Sequence, residues 1–600
     1  MMTRFARRTL SAVPLAGSLL LAVLGTAPAT AVQTLEDIDL NTLSGTYLAA
    51  RTADVAKDIP NAAALYRSAF QSDPENLFLL ERALVLTAAA GEMEEALGFA
   101  EQLVAKAPTS HVAKLVLAVE DIRAERYSEG SSALQGTGVG VLADLVGALV
   151  TAWARFGEGE IDQAIADLRK LKGEDWYEPF KLLHIGYMAL ASGRTDEALK
   201  ALSEARKLDA NAVRITEAFA RAAALAGRND EGDAALAEFL TRFPDNALAR
   251  VARDDIHAGR IQNAAVATPA KGAAEALAGI GAAVGQEGGV EVASLYLRLA
   301  LHLDQETAGG LAALSLGNLL DASGQGEAAI EAFQSISPDA PFRPLASLRA
   351  ALALDRLDRT EESEAAFKEA VRGSPDDVQT YISYANMLRG RERFAEAAEV
   401  YSQAVEHIST PGKADWSLFY FRGIAHERTK AWDKAEADFK KALELSPEQP
   451  LVLNYLGYSW VDMGRNLEEA MAMIRKAVEL RSNDGYIVDS LGWAYYRLGR
   501  YEEAVAELER AVSLRPEDPV IHDHLGDAYW KSGRTLEAQF QWRHARDFGA
   551  EGEDLELILK KIAEGRLIEA QKDAASIPDA QPDGSTAAAM TAPADVSPQP

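Results

Sequence analysis

Three alanines in the C-terminal half, Ala470, Ala504 and Ala538, stand 34 residues apart, and their surroundings repeat with them. Leu456-Gly457, Leu491-Gly492 and Leu525-Gly526 precede them at spacings of 35 and 34, Asn466 being the extra residue. Between each pair and its alanine lies a turn: Met463-Gly464-Arg465, Leu498-Gly499-Arg500 and Ser532-Gly533-Arg534. A fixed period of this length confines the chain to an array. One unit is too small to bury its own apolar face, so neighbours must stack and share a core. At 600 residues the chain also exceeds what one compact core supports.

The middle unit reads Leu491, Gly492, Tyr495, Ala504, Leu508, Ala511, Pro516. Small residues at Gly492 and Ala504 let two helices approach, and the larger ones fill the space beside them. Gly499 suits the left-handed end of the first helix, and Pro516 lacks the amide to continue the second. The register extends backwards through Gly423, Ala435, Phe439, Ala442 and Pro447, then Ala397, Tyr401 and Ala404, then Phe367, Ala370 and Pro375. It reappears at Gly186, Ala198, Leu202 and Ala205, and Pro74 and Pro108 close two further units 34 residues apart. This pattern resembles the tetratricopeptide repeat (TPR). The resemblance implies an all-α fold, a right-handed superhelical α-solenoid of about a dozen helix-turn-helix units.

The expected organisation is an N-terminal array over residues 43–249, a middle array over 291–415 and a C-terminal array over 416–552. Near 111–145 the signature fades and Gly136, Gly138 and Gly140 interrupt the period. Residues 250–290 are Ala- and Gly-rich, with Pro269 and Gly288-Gly289, and read as an interruption, hinge or degenerate repeat where the array yields first. Leu555, Ile558, Leu559 and Ile562 form one stripe of a capping helix over 553–573. Residues 574–600 are Pro, Ala, Ser, Asp and Gln without period, the composition of a disordered tail.

At the other end, Arg4, Arg7 and Arg8 precede an apolar stretch, and Ala29-Thr30-Ala31 supplies the small residues of a cleavage site. Residues 1–31 therefore read as a signal peptide cut near Ala31-Val32, which makes the chain periplasmic with no membrane span afterwards. The net charge of −29 disfavours nucleic acid and anionic lipid. With no cysteine, disulfides, thiolate metal sites and a cysteine nucleophile are excluded. Gly136-Thr137-Gly138-Val139-Gly140 lacks the strand and the Gly-Lys-Ser/Thr of a nucleotide loop. His522 and His524, two apart on a helix, cannot readily share a metal ion, so structural roles are expected for both. Nothing else has catalytic or cofactor spacing, and the chain reads as a non-enzymatic binding protein.

Its binding face should be the groove lined by the first helix of each unit. Tyr486, Asp489, Trp493 and Tyr496, spaced 3, 4 and 3, share one helical face opposite Val488, Leu491, Gly492 and Tyr495. Neighbouring units add Tyr420, then Asn454 and Tyr458, then Asp523, Asp527 and Trp530. Aromatic anchors flanked by acids predict a partner bearing Arg or Lys beside apolar residues. The segments LNYLGYSWVDMGRNLEEA and DGYIVDSLGWAYYRLGRYEEA also resemble bacterial envelope TPR proteins. That resemblance implies an adaptor for a carboxyl-terminal processing protease and its cell-wall hydrolase substrates. An assembly scaffold for polysaccharide or pilus export is the alternative.

Overall fold

A computed structural model describes residues 42–134 and 140–568. Among them are thirty α-helices, and no residue is in a strand. Six antiparallel pairs come first: α1 (Leu43–Val55) with α2 (Ile59–Ser72), α3 (Leu77–Ala90) with α4 (Met93–Lys106), α5 (His111–Arg123) with α6 (Tyr127–Ala133), α7 (Val141–Gly157) with α8 (Ile161–Lys170), α9 (Tyr177–Ala191) with α10 (Thr195–Leu208), and α11 (Val213–Leu225) with α12 (Asn229–Arg242). The single helix α13 (Ala247–His257) ends this first array. A second array opens with α14 (Pro269–Gln286) and α15 (Val290–Leu303), then α16 (Leu311–Ala322) and α17 (Gly326–Gln334), then α18 (Arg343–Arg356) and α19 (Thr360–Gly373). It continues through α20 (Val378–Gly390) and α21 (Phe394–Glu406), α22 (Trp416–Arg428) and α23 (Trp432–Leu445), and α24 (Pro450–Asp462) and α25 (Leu467–Leu480). The last pairs are α26 (Gly485–Arg497) with α27 (Tyr501–Leu514) and α28 (Pro519–Lys531) with α29 (Thr535–Asp547), and α30 (Gly552–Glu564) closes the array.

The local cause of the pairing is the same throughout. Each turn between paired helices holds a residue of positive φ five positions before a small residue of the second helix; in the α24–α25 turn it is six before, and the inserted Asn466 is a second residue of positive φ. In nine of the fourteen turns that residue is glycine; in the others it is Lys57, Glu125, Asp358, Glu392 or Lys430. Paired helices then meet at close range. A Cβ on Gly492 would stand 2.6 Å from Leu508 Cγ, and one on Gly526 would stand 2.5 Å from Trp542. Although the sequence signature fades around 111–145, α5 and α6 are a pair in register, with Gly130 as the small residue 34 after Ala96 and 34 before Ala164. The glycine-rich run 136–138, the signal-like segment and the tail lie outside the described residues.

The two arrays differ in what fills their inner side. In the first, α14 packs against the first helices α5, α7 and α9, and α15 against α3 and α5. The opening hairpin of the second array thus lies in the groove of the first. Ion pairs clamp it along its length: Arg82 to Glu291 at 2.8 Å, His302 to Glu120 at 2.9 Å, and Arg214 to Glu275 at 2.6 Å. Glu275 also accepts the Ala308 amide at 3.1 Å. One apolar core consequently runs without a break from Ala50 to Ala350. This corrects the expectation of a hinge at 250–290. Alanine and glycine are abundant there because α14 is packed closely by other helices, and small side chains permit that approach. The apolar core of the later pairs is divided into successive clusters, chiefly Leu348–Ala425, Phe419–Ile521 and Ala504–Ile558.

Candidate partner-binding groove

Among the described residues, no hairpin fills the inner side of the C-terminal half. The helices packed on α26 are α24, α25, α27 and α28, its neighbours in the array. Trp493 of α26 stacks on Tyr496 at 4.5 Å between ring centroids and on His524 of α28 at 4.0 Å, with interplanar angles of 13° and 20°. All three rings stay partly exposed. Such stacking adds roughly 0.5–1.5 kcal/mol per pair to ordinary burial and orders the rings before any partner arrives.

His524 is the residue that the inner-face count left out. Its Nδ1 donates to both Asp489 oxygens, at 3.0 and 3.1 Å. Burial opposes its charge, but the Asp489 charge and hydrogen bond, with Asp523 and Asp527 nearby, raise its pKa above 6.5. The imidazole stacked on the indole is thus biased towards its charged form. His522 points elsewhere, bonded to Gln541 and to the Pro516 carbonyl, a packing role.

The remaining expected groove residues divide sharply. Trp530 is half-buried one unit further on, tilted against Trp542 at 5.7 Å. Tyr486 is half-buried beneath the Arg515 guanidinium, 4.9 Å from its ring centroid. Tyr420 is core, packed among Trp416, Phe421, Phe439 and Tyr455. Asn454 and Tyr458 are buried between successive first helices, Asn454 donating to Ser490 at 3.1 Å. Asp489 and Asp527 are buried as well.

The acids do not wait for a basic partner. Lys561 of α30, 1% exposed, donates to Asp523 at 2.9 Å and to Asp527 at 2.8 Å. Trp542 donates to Asp527 at 2.9 Å. Asp489 is satisfied by His524. Adjacent first helices lie close enough for a side chain of one to reach the next, so each acid meets a partner supplied by the following helix. The expectation that these acids select an Arg- or Lys-bearing partner is corrected on that ground. What the groove offers is aromatic surface over a polar seam whose acids are already hydrogen-bonded within the chain.

Residues 307–378 and 385–450 match one model of the tetratricopeptide repeat, and 492–533 match another TPR model. A TPR repeat-containing protein of Pseudomonas aeruginosa is 27% identical over 187 residues, 31% of this chain and 31% of that relative's length. Among solved structures, the Cut9–Hcn1 complex of the APC/C covers 87% of this chain and 96% of its own, at 14% identity and TM-score 0.35. Yeast Tom70 covers 70% and 95%, at 14% identity and TM-score 0.32. The helix pairs and their common turn make the chain an α-solenoid, and the family-model matches show that it carries tetratricopeptide repeats.

Proposed function

We propose that this protein is a non-enzymatic scaffold of the periplasm that recruits other envelope proteins through the inner face of its C-terminal units. The observation that carries the reading is the part-exposed stack of Trp493, Tyr496 and His524, on a face that nothing else in the described chain covers. Rigid aromatic surface of this kind dominates binding hot spots, because it buries large area at low entropic cost. The N-terminal groove, filled by α14 and α15, is not available for the same task. Export is supported by the basic, apolar and small-residue succession of residues 1–31. The partner we favour is a carboxyl-terminal processing protease together with its cell-wall hydrolase substrates, on the likeness of the last repeats to envelope adaptors.

The test is capture from periplasmic extract with the wild-type chain and with Trp493→Ala, read by mass spectrometry. A protease and a hydrolase retained by wild type and lost with the variant are expected. Identical captures from both would reject the face, and a capture holding neither class would reject the adaptor role. N-terminal sequencing of the exported chain should begin near Val32; retention of Met1 would reject periplasmic release.

A further inference from the structure

The second helices repeat a pattern on either side of their small residue, and α29 departs from it. In α19, α23, α25 and α27 the residue two positions before is Glu361, Asp433, Glu468 or Glu502, and the residue two after is alanine. All of these are exposed. Across the fourteen described pairs, a large apolar side chain stands two after the small residue in α15 and α29 alone, as Leu295 and Phe540. Leu295 is 4% exposed, on a helix packed against α3 and α5. Phe540 is 51% exposed, and Leu536, two before the small residue Ala538, is 64% exposed. Four positions apart, the two share one face of α29. An apolar residue at this place is covered in one array and left bare in the other.

The charges around that face suit a reversed copy of the same helix. Arg534 and Glu537 precede Phe540, and Arg543 and Asp547 follow it at nearly equal distances. An antiparallel α29 turned about Phe540 brings each charge to the level of an opposite one, Arg534 to Asp547 and Glu537 to Arg543. A parallel copy would set like against like. Arg543 has no ion pair among the described residues, whereas Arg534 and Arg546 are paired within the chain. Residues 569–600 make a poor cover for the face: they hold no aromatic, and their large apolar residues are Ile577, Met590 and Val596, far apart among acids and prolines.

We propose that α29 is the contact of a two-fold homodimer. Phe540 packs on the second copy's Phe540 at the axis, and the aliphatic stem of the second copy's Arg543 lies over Leu536. Opposite charges flank the apolar centre and set the antiparallel direction. One helix face is smaller than the roughly 800 Å² per partner of a standard interface, so the dimer exchanges with monomer in the micromolar range. The contact is separate from the Trp493 face and does not rest on it.

Sedimentation equilibrium on the full chain should show monomer and dimer exchanging with concentration. Leu536→Glu combined with Phe540→Ala gives α29 the residues that α27 carries at the same places. It should raise the dissociation constant at least about tenfold while the melting temperature holds. Arg543→Glu should weaken association too, and adding Glu537→Arg should restore it, since the exchanged charges again face their opposites. The chain has no cysteine, so Phe540→Cys should oxidise to a crosslinked dimer, and Ala506→Cys on α27 should not. A monomer at every concentration overturns the proposal. So does a dimer indifferent to Leu536→Glu with Phe540→Ala, or a melting temperature that falls with that pair, which would make the two residues core. A chain that dimerises only after residues 569–600 are removed would show the tail to be the cover, and would also reject it.

Discussion

Lys430, Glu392 and Asp358 occupy the left-handed turn position that glycine fills in most of the pairs. A side chain there costs roughly 1–2 kcal/mol of backbone strain, part of which glycine returns as extra freedom of the unfolded chain. Lys430→Gly should therefore stabilise the second array by about 0.5–1 kcal/mol, visible as a higher melting temperature. Lys561→Met acts in the opposite sense. It leaves Asp523 and Asp527 facing each other in the interior, and breaking such a buried pair costs about 3 kcal/mol. The change should lower the melting point of the C-terminal end while helix content at low temperature holds. Of the aromatics expected in the groove from their spacing, Tyr486, Trp493, Tyr496 and Trp530 are part-exposed, whereas Tyr420 and Tyr458 are buried. The fate of the acids could not be read from spacing, because Lys561 and Asp523 are 38 residues apart and meet only when α30 packs on the array.

At the scale of the element, α14 shows how composition misleads when burial is unknown. An Ala- and Gly-rich segment with Pro269 at its start reads as a weak, pliable stretch. In the fold the same residues form an 18-residue helix, capped by the Thr268 hydroxyl on the Lys271 amide and enclosed by first helices. Small side chains are needed here because the helix axes approach closely. Gly272→Ala should cost about 1–3 kcal/mol through overpacking against Trp153, with equilibrium denaturation of the first array as the measurement. Limited proteolysis should spare residues 269–285, and early cleavage there would mean that α14 leaves the groove readily.

Across the whole molecule, the two ends should respond to pH in opposite directions. His184, fully buried, has its pKa lowered to about 3, chiefly by desolvation and further by the Arg214 charge. Its contribution to stability is complete above 6.5 and is lost as pH falls towards 3. Glu120, lowered to about 2 chiefly by its hydrogen bond to Arg123, adds a loss below 4.5. At the other end, burial and the adjacent Asp523 push the Asp527 carboxyl up to about 7, more than Lys561 lowers it. Asp527 thus favours the fold when protonated; its contribution is complete below 3.8 and is lost as pH rises towards 7. His524, whose pKa is raised, changes in the same direction. Unfolding should consequently show two transitions. The first, from the continuous core of the N-terminal array and its hairpin, weakens on acidification from pH 7 to 5. The second, from the clustered cores of the C-terminal units, weakens as pH rises from about 4 to 8. A single transition, or parallel shifts of both, would contradict this division.

The helix-pair architecture, the unit length and the faces of the helices are properties of local spacing, and they were legible before any fold was known. A glycine or alanine at a fixed offset, a turn residue and an apolar stripe act within one unit and its neighbour, so the chain order records them directly. The contents of the first groove, the internal hydrogen bonding of Asp489, Asp523 and Asp527, and the burial of Tyr420, Asn454 and Tyr458 have no such record. They arise where segments far apart in the chain come together, as Arg82 with Glu291 across 209 residues or Trp153 beneath Gly272. Which tryptophan is covered follows from that long-range packing: Trp153 is fully buried beneath α14, whereas Trp493 stays part-exposed.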